Sequence, residues 1–425
     1  MTDLDLMLRF MVQVIVVLVS CRLFGWIGKK FLGQTQVTME MLTGILLGPS
    51  VLGALFPKFQ QFLFPLFNHA GDTASGRNPS MSILYIIAQV GLILYMFVVG
   101  LEFDFQLMQN RTRSALAVST AGILAPFILG CLLFLGVLNG RNDMILASVP
   151  SSIAAVYIGA AMSITAFPML ARLIHEAGIK GTSLANLAIS AGAIDDIAAW
   201  SLLAVVLAAC KGNPSIAVWA VLGGVTFTAV MLLGARKLVA GFHDKVQEPS
   251  AIGLVLILLF LGSWFTDTIG IHAVFGAFVV GMALPKGEFS SFLQTRIEPL
   301  ATNLFIPFFF VYSGLNTKLA SLIQPQHWII VLVVILCAIG GKLGGCYLAA
   351  RWCGEDRRQA LSIGILMNSR GMMGLIILNI GLQQKIISET LFTIMVLMAL
   401  VTTLMAPPLF RRTYRSKTDS LATSP

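Results

Sequence analysis

Long apolar segments separated by short polar connections make up almost the whole sequence. A helix that crosses the hydrocarbon core of a membrane needs about 20 mostly apolar residues. The pattern therefore predicts an all-α polytopic membrane protein with about thirteen transmembrane helices, near residues 6–27, 36–55, 81–101, 113–137, 148–173, 181–210, 214–238, 250–267, 271–285, 299–316, 327–351, 357–382 and 388–410. Twelve helices is the alternative, because residues 264–275 can be divided differently.

The composition excludes several classes of protein. Of the 425 residues 57% are hydrophobic and only 11% are charged, with a mean hydropathy of +0.87. A soluble chain carries roughly 25% charged residues, so this one has too few polar side chains to cover a water-exposed surface. Soluble enzymes, secreted disulfide scaffolds and disordered chains are excluded. The acidic start, Met1 to Leu6, lacks the basic region of a signal peptide, so the first apolar segment is predicted to be an anchor.

The formal net charge of +9 is mainly an orientation signal. Most Lys and Arg residues fall in alternate connections between the predicted helices. The positive-inside rule then places the N-terminus outside and the C-terminus in the cytoplasm, with residues 413–425 as a short cytoplasmic tail. We expect a multi-pass protein of a bacterial inner membrane, with a thylakoid or a plant endomembrane as alternatives. The lipid bilayer is the expected surrounding, and no nucleic-acid partner is expected.

Three ionisable residues lie about halfway along predicted membrane helices. Asp195 and Asp196 are adjacent in the segment 181–210, and Lys342 lies in the segment 327–351. Such a residue costs at least about 2.5–3.5 kcal/mol on insertion scales, so it indicates a functional site. Adjacent helix residues point about 100° apart, so one aspartate can face Lys342 while the other faces a water path. The glycines on both sides of Lys342 allow a neighbouring helix to come close.

Two other predicted helices carry interruptions at the same depth. Pro168 lies within 148–173, where a proline removes a backbone donor and kinks or breaks a helix. A polar run ending at Gly371 lies within 357–382. Broken helices at this depth are tolerated where they are buried or line a cavity, and Arg370 is predicted to offset the negative helix ends. Neutral oxygen ligands are available from Ser163, Thr165, Asn368 and Ser369.

The spacing of these interruptions suggests an internal repeat. If the segment 214–238 is a linker, six predicted helices on each side form two halves of opposite orientation in the membrane. The two interrupted helices then occupy equivalent places, which is the best sequence indication of a transporter binding site. The halves share no residue-level identity, so the repeat is inferred from topology alone.

These features occur in the order found in one family. The chain resembles the cation:proton antiporters of the sodium/hydrogen exchanger superfamily, in the branch that contains the NapA, KefC and plant CHX proteins. The motifs that carry the resemblance are Gly44-Ile45-Leu46-Leu47-Gly48-Pro49, Gly100-Leu101-Glu102-Phe103-Asp104, Thr165-Ala166-Phe167-Pro168, Asp195-Asp196 and Pro307-Phe308-Phe309-Phe310, together with a CHX-like stretch over 364–406. Residues 1–412 are thereby assigned as a sodium/hydrogen exchanger transmembrane domain.

The resemblance implies an NhaA-like fold of two inverted six-helix repeats with broken crossing helices, working as a homodimer with an elevator-like movement. The implied dimerisation part covers about 1–110 and 250–320, the implied core part covers about 111–212 and 325–412, and a linker helix covers about 213–240.

The resemblance also implies roles for the membrane-embedded residues. Asp196 takes the proton or the cation, and Asp195 pairs with Lys342. The interruptions near Thr165 and Ser369 form a helix crossover beside the site, with Pro168, Asn368 and Arg370 as its support.

The expected activity is exchange of a monovalent cation for H⁺, with Na⁺ as the first candidate and K⁺ or Li⁺ as others. These ions are transported, and no cofactor is expected. The aspartate pair with a lysine resembles the electrogenic sodium-exchanging type, whereas the CHX-like C-terminal half points to K⁺. A K⁺/H⁺ exchanger of CHX type, a cation channel without proton coupling and a sodium-coupled carrier of organic solutes are the alternatives. An intramembrane aspartyl protease is disfavoured, because adjacent aspartates cannot face each other from different helices.

Overall fold

The computed structural model describes residues 3–65, 79–102, 112–141, 143–146, 149–179, 181–210, 214–235, 249–270, 272–322 and 324–414. Apart from an isolated bridge between Ile145 and Ile387, the regular structure of these residues is helical. The α-helices in chain order are α1 (Asp3–Ile27), α2 (Gln36–Leu47), α3 (Leu52–Leu55), α4 (Pro57–Leu63), α5 (Pro79–Glu102), α6 (Thr112–Leu133), α7 (Ser151–Ser163), α8 (Phe167–Glu176), α9 (Ser183–Cys210), α10 (Pro214–Val230), α11 (Pro249–Thr268), α12 (Ala273–Ala283), α13 (Glu288–Leu300), α14 (Ile306–Leu315), α15 (Pro325–Trp352), α16 (Arg357–Met367), α17 (Gly371–Gln383) and α18 (Glu389–Thr413). Short π-helical or 3₁₀ turns occupy Gly28–Leu32, Phe134–Leu138, Met231–Ala235, Ala301–Phe305 and Leu319–Leu322.

Several of these helices match the dimensions of a membrane. Among the described residues, six helical segments are long and apolar enough to cross a bilayer: Asp3–Leu32, Gln36–Leu55, Pro79–Glu102, Arg113–Leu138, Pro325–Trp352 and Glu389–Thr413. Shorter apolar helices, such as Ser151–Ser163 and Ala273–Ala283, accompany them. The predicted all-α polytopic class is confirmed, and the count of thirteen crossings stays a prediction.

The chain divides into two compact units. The first comprises Met1–Leu23, Thr43–Asp104 and Leu203–Asn316, and the second comprises Phe24–Leu42, Phe105–Leu202 and Thr317–Pro425. Several predicted segments lie partly outside the described residues, among them 213 and 236–240 of the linker helix and 415–425 of the C-terminal tail.

Glycines allow helices of the first unit to pack with their backbones in contact. A side chain at Gly100 of α5 would collide with the carbonyl oxygen of Phe278 in α12, and one at Gly281 would collide with the carbonyl oxygen of Phe97. Small residues allow this close approach between membrane helices.

We expect Gly281→Ala to destabilise the protein measurably. The added methyl group meets backbone atoms of α5, which cannot rotate away as a side chain would, and overpacking of this kind costs about 1–3 kcal/mol. Thermal unfolding in detergent measures the effect. Gly253→Ala in α11 is the matched control, because a methyl group there meets open space. An equal melting temperature for both variants would contradict this account of the packing.

In the second unit, α6 lies against the glycine-rich part of α15. A side chain at Gly341 would lie 2.7 Å from the Cα of Pro126, and one at Gly345 would lie 2.8 Å from the carbonyl oxygen of Ala121. Gly340 and Gly344 face open space instead. The glycines that flank Lys342 therefore admit a neighbouring helix on one face of α15, as the sequence indicates.

The two interrupted helices meet at their breaks. Residues 164–166 separate α7 from α8, and residues 368–370 separate α16 from α17. The amide of Ala166 donates to the carbonyl of Ser369 at 3.0 Å, and the Thr165 hydroxyl lies 3.0 Å from the Met367 carbonyl. The amide of Ala166 and the carbonyl of Ser369 thus satisfy each other, as buried backbone requires.

The break in the first of these helices lies before Pro168 rather than at it. Pro168 occupies the first turn of α8, which begins at Phe167. A proline there loses no hydrogen bond, because the first amides of a helix have no partner within that helix. The expectation that Pro168 interrupts a continuous helix is corrected in this respect: the proline begins the second helix.

Candidate functional site

A buried ion pair joins α9 to α15 within the second unit. The Nζ of Lys342 lies 2.5 Å from Oδ2 of Asp195 and donates at 2.6 Å to the carbonyl oxygen of Ser163, the last residue of α7. The side chains of Lys342 and Asp195 are 0% and 1% exposed. Removing both charges from water is expensive, and opposite charges in contact compensate for part of that cost.

Two hydroxyl groups complete the surroundings of Asp195. Thr165 Oγ1, in the break between α7 and α8, lies 2.7 Å from Oδ2, and Ser119 Oγ of α6 lies 2.5 Å from Oδ1. Sequence reasoning predicted Thr165 and missed Ser119. The signal for Ser119 is a serine within an apolar segment, which is weak because serine is common in membrane helices.

Asp196 has a different environment from Asp195. Asp196 is 1% exposed, and neither of its carboxylate oxygens has a hydrogen-bond partner in the described part of the chain. The main-chain amide of Phe167, at the start of α8, is near enough to interact with it electrostatically. A helix N-terminus favours a negative charge, but the carboxylate remains without the donors that surround Asp195.

Arg370 lies at the carbonyl end of α7. Its guanidinium group donates to the carbonyl oxygens of Ala161 and Met162 and, at 3.3 Å, to the carbonyl oxygen of Ala338 in α15. The last carbonyls of a helix carry a partial negative charge and lack partners within the helix. The positive charge of Arg370 is placed where the sequence analysis expects one.

The remaining predicted residues line the breaks without all facing the carboxylates. The hydroxyl groups of Ser163 and Ser369 donate to the carbonyls of Ala160 at 2.9 Å and Leu366 at 2.8 Å. Asn368 is buried, and its Oδ1 has no hydrogen-bond partner among the described residues. Ser163 contacts Lys342 through its main-chain carbonyl, and its role as an oxygen ligand for a cation stays a prediction.

Helices that are interrupted at a shared point, beside buried charges of both signs, are typical of the class of secondary transporters. The chain belongs to the sodium/hydrogen exchanger family: the family model described as "Sodium/hydrogen exchanger, transmembrane" matches residues 15–413.

Individual relatives agree with this assignment. The chain is 35% identical over 420 residues to the Na(+)/H(+) antiporter NhaS4 of Synechocystis, covering 97% of this chain and 98% of that protein. It is 36% identical over 411 residues to Cation/H(+) antiporter 17 of Arabidopsis thaliana, covering 95% of this chain and spanning 48% of that protein.

A solved structure shows the same fold. The sodium proton antiporter MjNhaP1 of Methanocaldococcus jannaschii is similar with a TM-score of 0.62 at 16% identity, covering 96% of each chain. Family membership makes the chain a multi-pass membrane cation/proton antiporter, and thus a transporter rather than an enzyme.

Proposed function

We propose that the protein exchanges Na⁺ for H⁺ across a membrane by binding either ion at Asp196. The observation that carries this proposal is the contrast between two adjacent carboxylates. Asp195 accepts hydrogen bonds from Ser119, Thr165 and Lys342, whereas the oxygens of Asp196 have no hydrogen-bond partner in the described residues. Burial disfavours a bare carboxylate, so Asp196 is the group that needs an external cation or proton.

Coupling follows from competition for this one carboxylate. A bound proton neutralises Asp196, and so does a bound monovalent cation, but the two cannot occupy the same oxygens together. Neutral oxygens near the breaks, from Thr165 and main-chain carbonyls, supplement the carboxylate as ligands for a hard cation. Lys342 remains opposite Asp195, and its charge is balanced there while the cation occupies Asp196.

We further propose an elevator-like movement of a core part (about 111–212 and 325–412) against a dimerisation part (about 1–110 and 250–320) of a homodimer, with 213–240 as the linker. The separation of the chain into two compact units with related boundaries supports this division. Two inverted repeats with crossing broken helices are part of the proposal, and the contacts between the breaks at 164–166 and 368–370 support it. The distribution of Lys and Arg supports an external N-terminus and a cytoplasmic C-terminus, and the location included in the proposal is a bacterial inner membrane.

For the identity of the cation, Na⁺ is proposed before K⁺ and Li⁺. The relative NhaS4, which this chain covers almost completely, is named as a Na⁺/H⁺ antiporter. The plant relative is named only as a cation/H⁺ antiporter, which leaves a K⁺/H⁺ exchanger as the second candidate.

Proteoliposomes with an imposed pH gradient test the proposal. We expect Na⁺ or Li⁺, added separately, to collapse the gradient, with the lumenal pH followed by a trapped dye. Collapse with K⁺ alone would favour the K⁺/H⁺ exchanger. Tracer cation flux without proton movement would mean a channel and would end the exchange proposal.

A further inference from the structure

Ser119 is a polar contact of the buried pair that none of the motifs of the family resemblance contains. It lies on α6 and is 0% exposed, and its hydroxyl donates to Oδ1 of Asp195 at 2.5 Å. The close packing of α6 against Gly341 and Gly345 brings this hydroxyl within reach of α9. Gly122, one turn further along α6, lies where a side chain would meet Cys346 of α15.

The hydrogen-bond donors around Asp195 are unequally divided between its two oxygens. Oδ2 faces both Lys342 and Thr165, but Ser119 supplies the donor to Oδ1 within the described residues. The Thr165 hydroxyl has one hydrogen and also faces the carbonyl of Met367. Ser119 therefore fixes the rotation of the carboxylate, and without it Oδ1 is a buried acceptor with no partner among these residues.

We propose that Ser119 is a positioning residue that holds Asp195 on Lys342 and so leaves Asp196 as the only carboxylate that exchanges ions. This inference rests on the proposed function. A cation at Asp196 lies near the positive charge of Lys342, and it is tolerated because Asp195 balances that charge. A carboxylate that rotates away from Lys342 balances it less well, and the cation then binds more weakly.

The test is a kinetic comparison of three variants in proteoliposomes. Ser119→Cys keeps the size of the side chain but replaces a strong donor by a weak one, Ser119→Ala removes the donor, and Ser119→Thr keeps the hydroxyl. A hydrogen bond to a charged group is worth more than one between neutral groups, and we expect the apparent KM for the driving cation to rise about tenfold in Ser119→Ala. We expect a smaller rise in KM for Ser119→Cys and a KM close to that of the wild type for Ser119→Thr. The maximal rate of each variant is expected to stay within about twofold of the wild-type rate.

Thr120→Ala is the matched control, because Thr120 is the next residue on α6 and is exposed. A wild-type KM in Ser119→Cys, or a Ser119→Thr variant as impaired as Ser119→Ala, would overturn the inference. A lower maximal rate with an unchanged KM in Ser119→Ala would also overturn the inference, since it would indicate a merely structural role. Two other results would contradict the proposed function itself. One is a wild-type protein that shows no cation-driven proton movement, and the other is an Asp196→Asn variant with normal exchange.

Discussion

Replacing Asp196 by asparagine is expected to abolish cation-driven proton movement in proteoliposomes while the protein still folds. Asparagine has nearly the same shape, but it neither carries an exchangeable proton nor supplies a negative charge for a cation. The Asp196 oxygens accept no hydrogen bond from the described residues, so the substitution breaks no such bond. Because an unpaired buried charge is unfavourable, we expect the melting temperature in detergent to stay equal or to rise.

Asp356→Asn is the matched control for this experiment. Asp356 is exposed and caps α16 by accepting from the amide of Gln359 at 2.7 Å, and asparagine is an equally good capping residue. Wild-type exchange is expected in this control. Normal exchange in Asp196→Asn, with correct insertion of the protein in the vesicles, would show that Asp196 is not the exchanging group.

Replacing Lys342 by methionine is expected to give the largest loss of stability. The substitution leaves Asp195 as a buried charge without its ionic partner, and breaking a buried pair in this way costs roughly 3–5 kcal/mol. Methionine fills a similar volume, so little of the loss comes from a cavity. Thermal unfolding of the purified protein in detergent measures the effect.

The double variant Lys342→Met with Asp195→Asn tests the cause of that loss. When both charges are removed, no unpaired charge remains, so we expect the double variant to be clearly more stable than Lys342→Met alone. A double-mutant cycle gives the coupling between the two residues. Additive losses in the cycle would show that the two side chains are not energetically coupled, contrary to their 2.5 Å separation.

The ionisable part of the site could be predicted because charge inside a membrane helix is conspicuous. Asp195, Asp196, Lys342 and Arg370 each interrupt an apolar segment, and the cost of burying them makes an incidental position improbable. The residues alone left open which aspartate faces Lys342. The family resemblance assigned this role to Asp195, and in the structure Asp195 contacts Lys342. That choice depends on the rotation of α9 about its axis, which neighbouring helices fix by packing.

The uncharged part of the site was harder to predict. Ser163 was predicted to supply a neutral oxygen, and the sequence does not show that its hydroxyl donates to Ala160 while its carbonyl accepts from Lys342. The break lies at residues 164–166, near Thr165 as the family resemblance implied, but Pro168 marks the beginning of α8 rather than the break itself. A hydroxyl has many local partners, and its choice among them is decided by distances of an ångström or less.

The sequence by itself determined that this is a helical membrane protein and which charged residues lie within its helices. Both follow from the apolar character and length of continuous segments, which are local properties. Only the tertiary structure decided that Ser119 reaches Asp195 and that Asp196 is left without hydrogen-bond donors among the described residues. These contacts join segments far apart in the chain, and they depend on how closely helices approach and how each is rotated, which no single segment encodes.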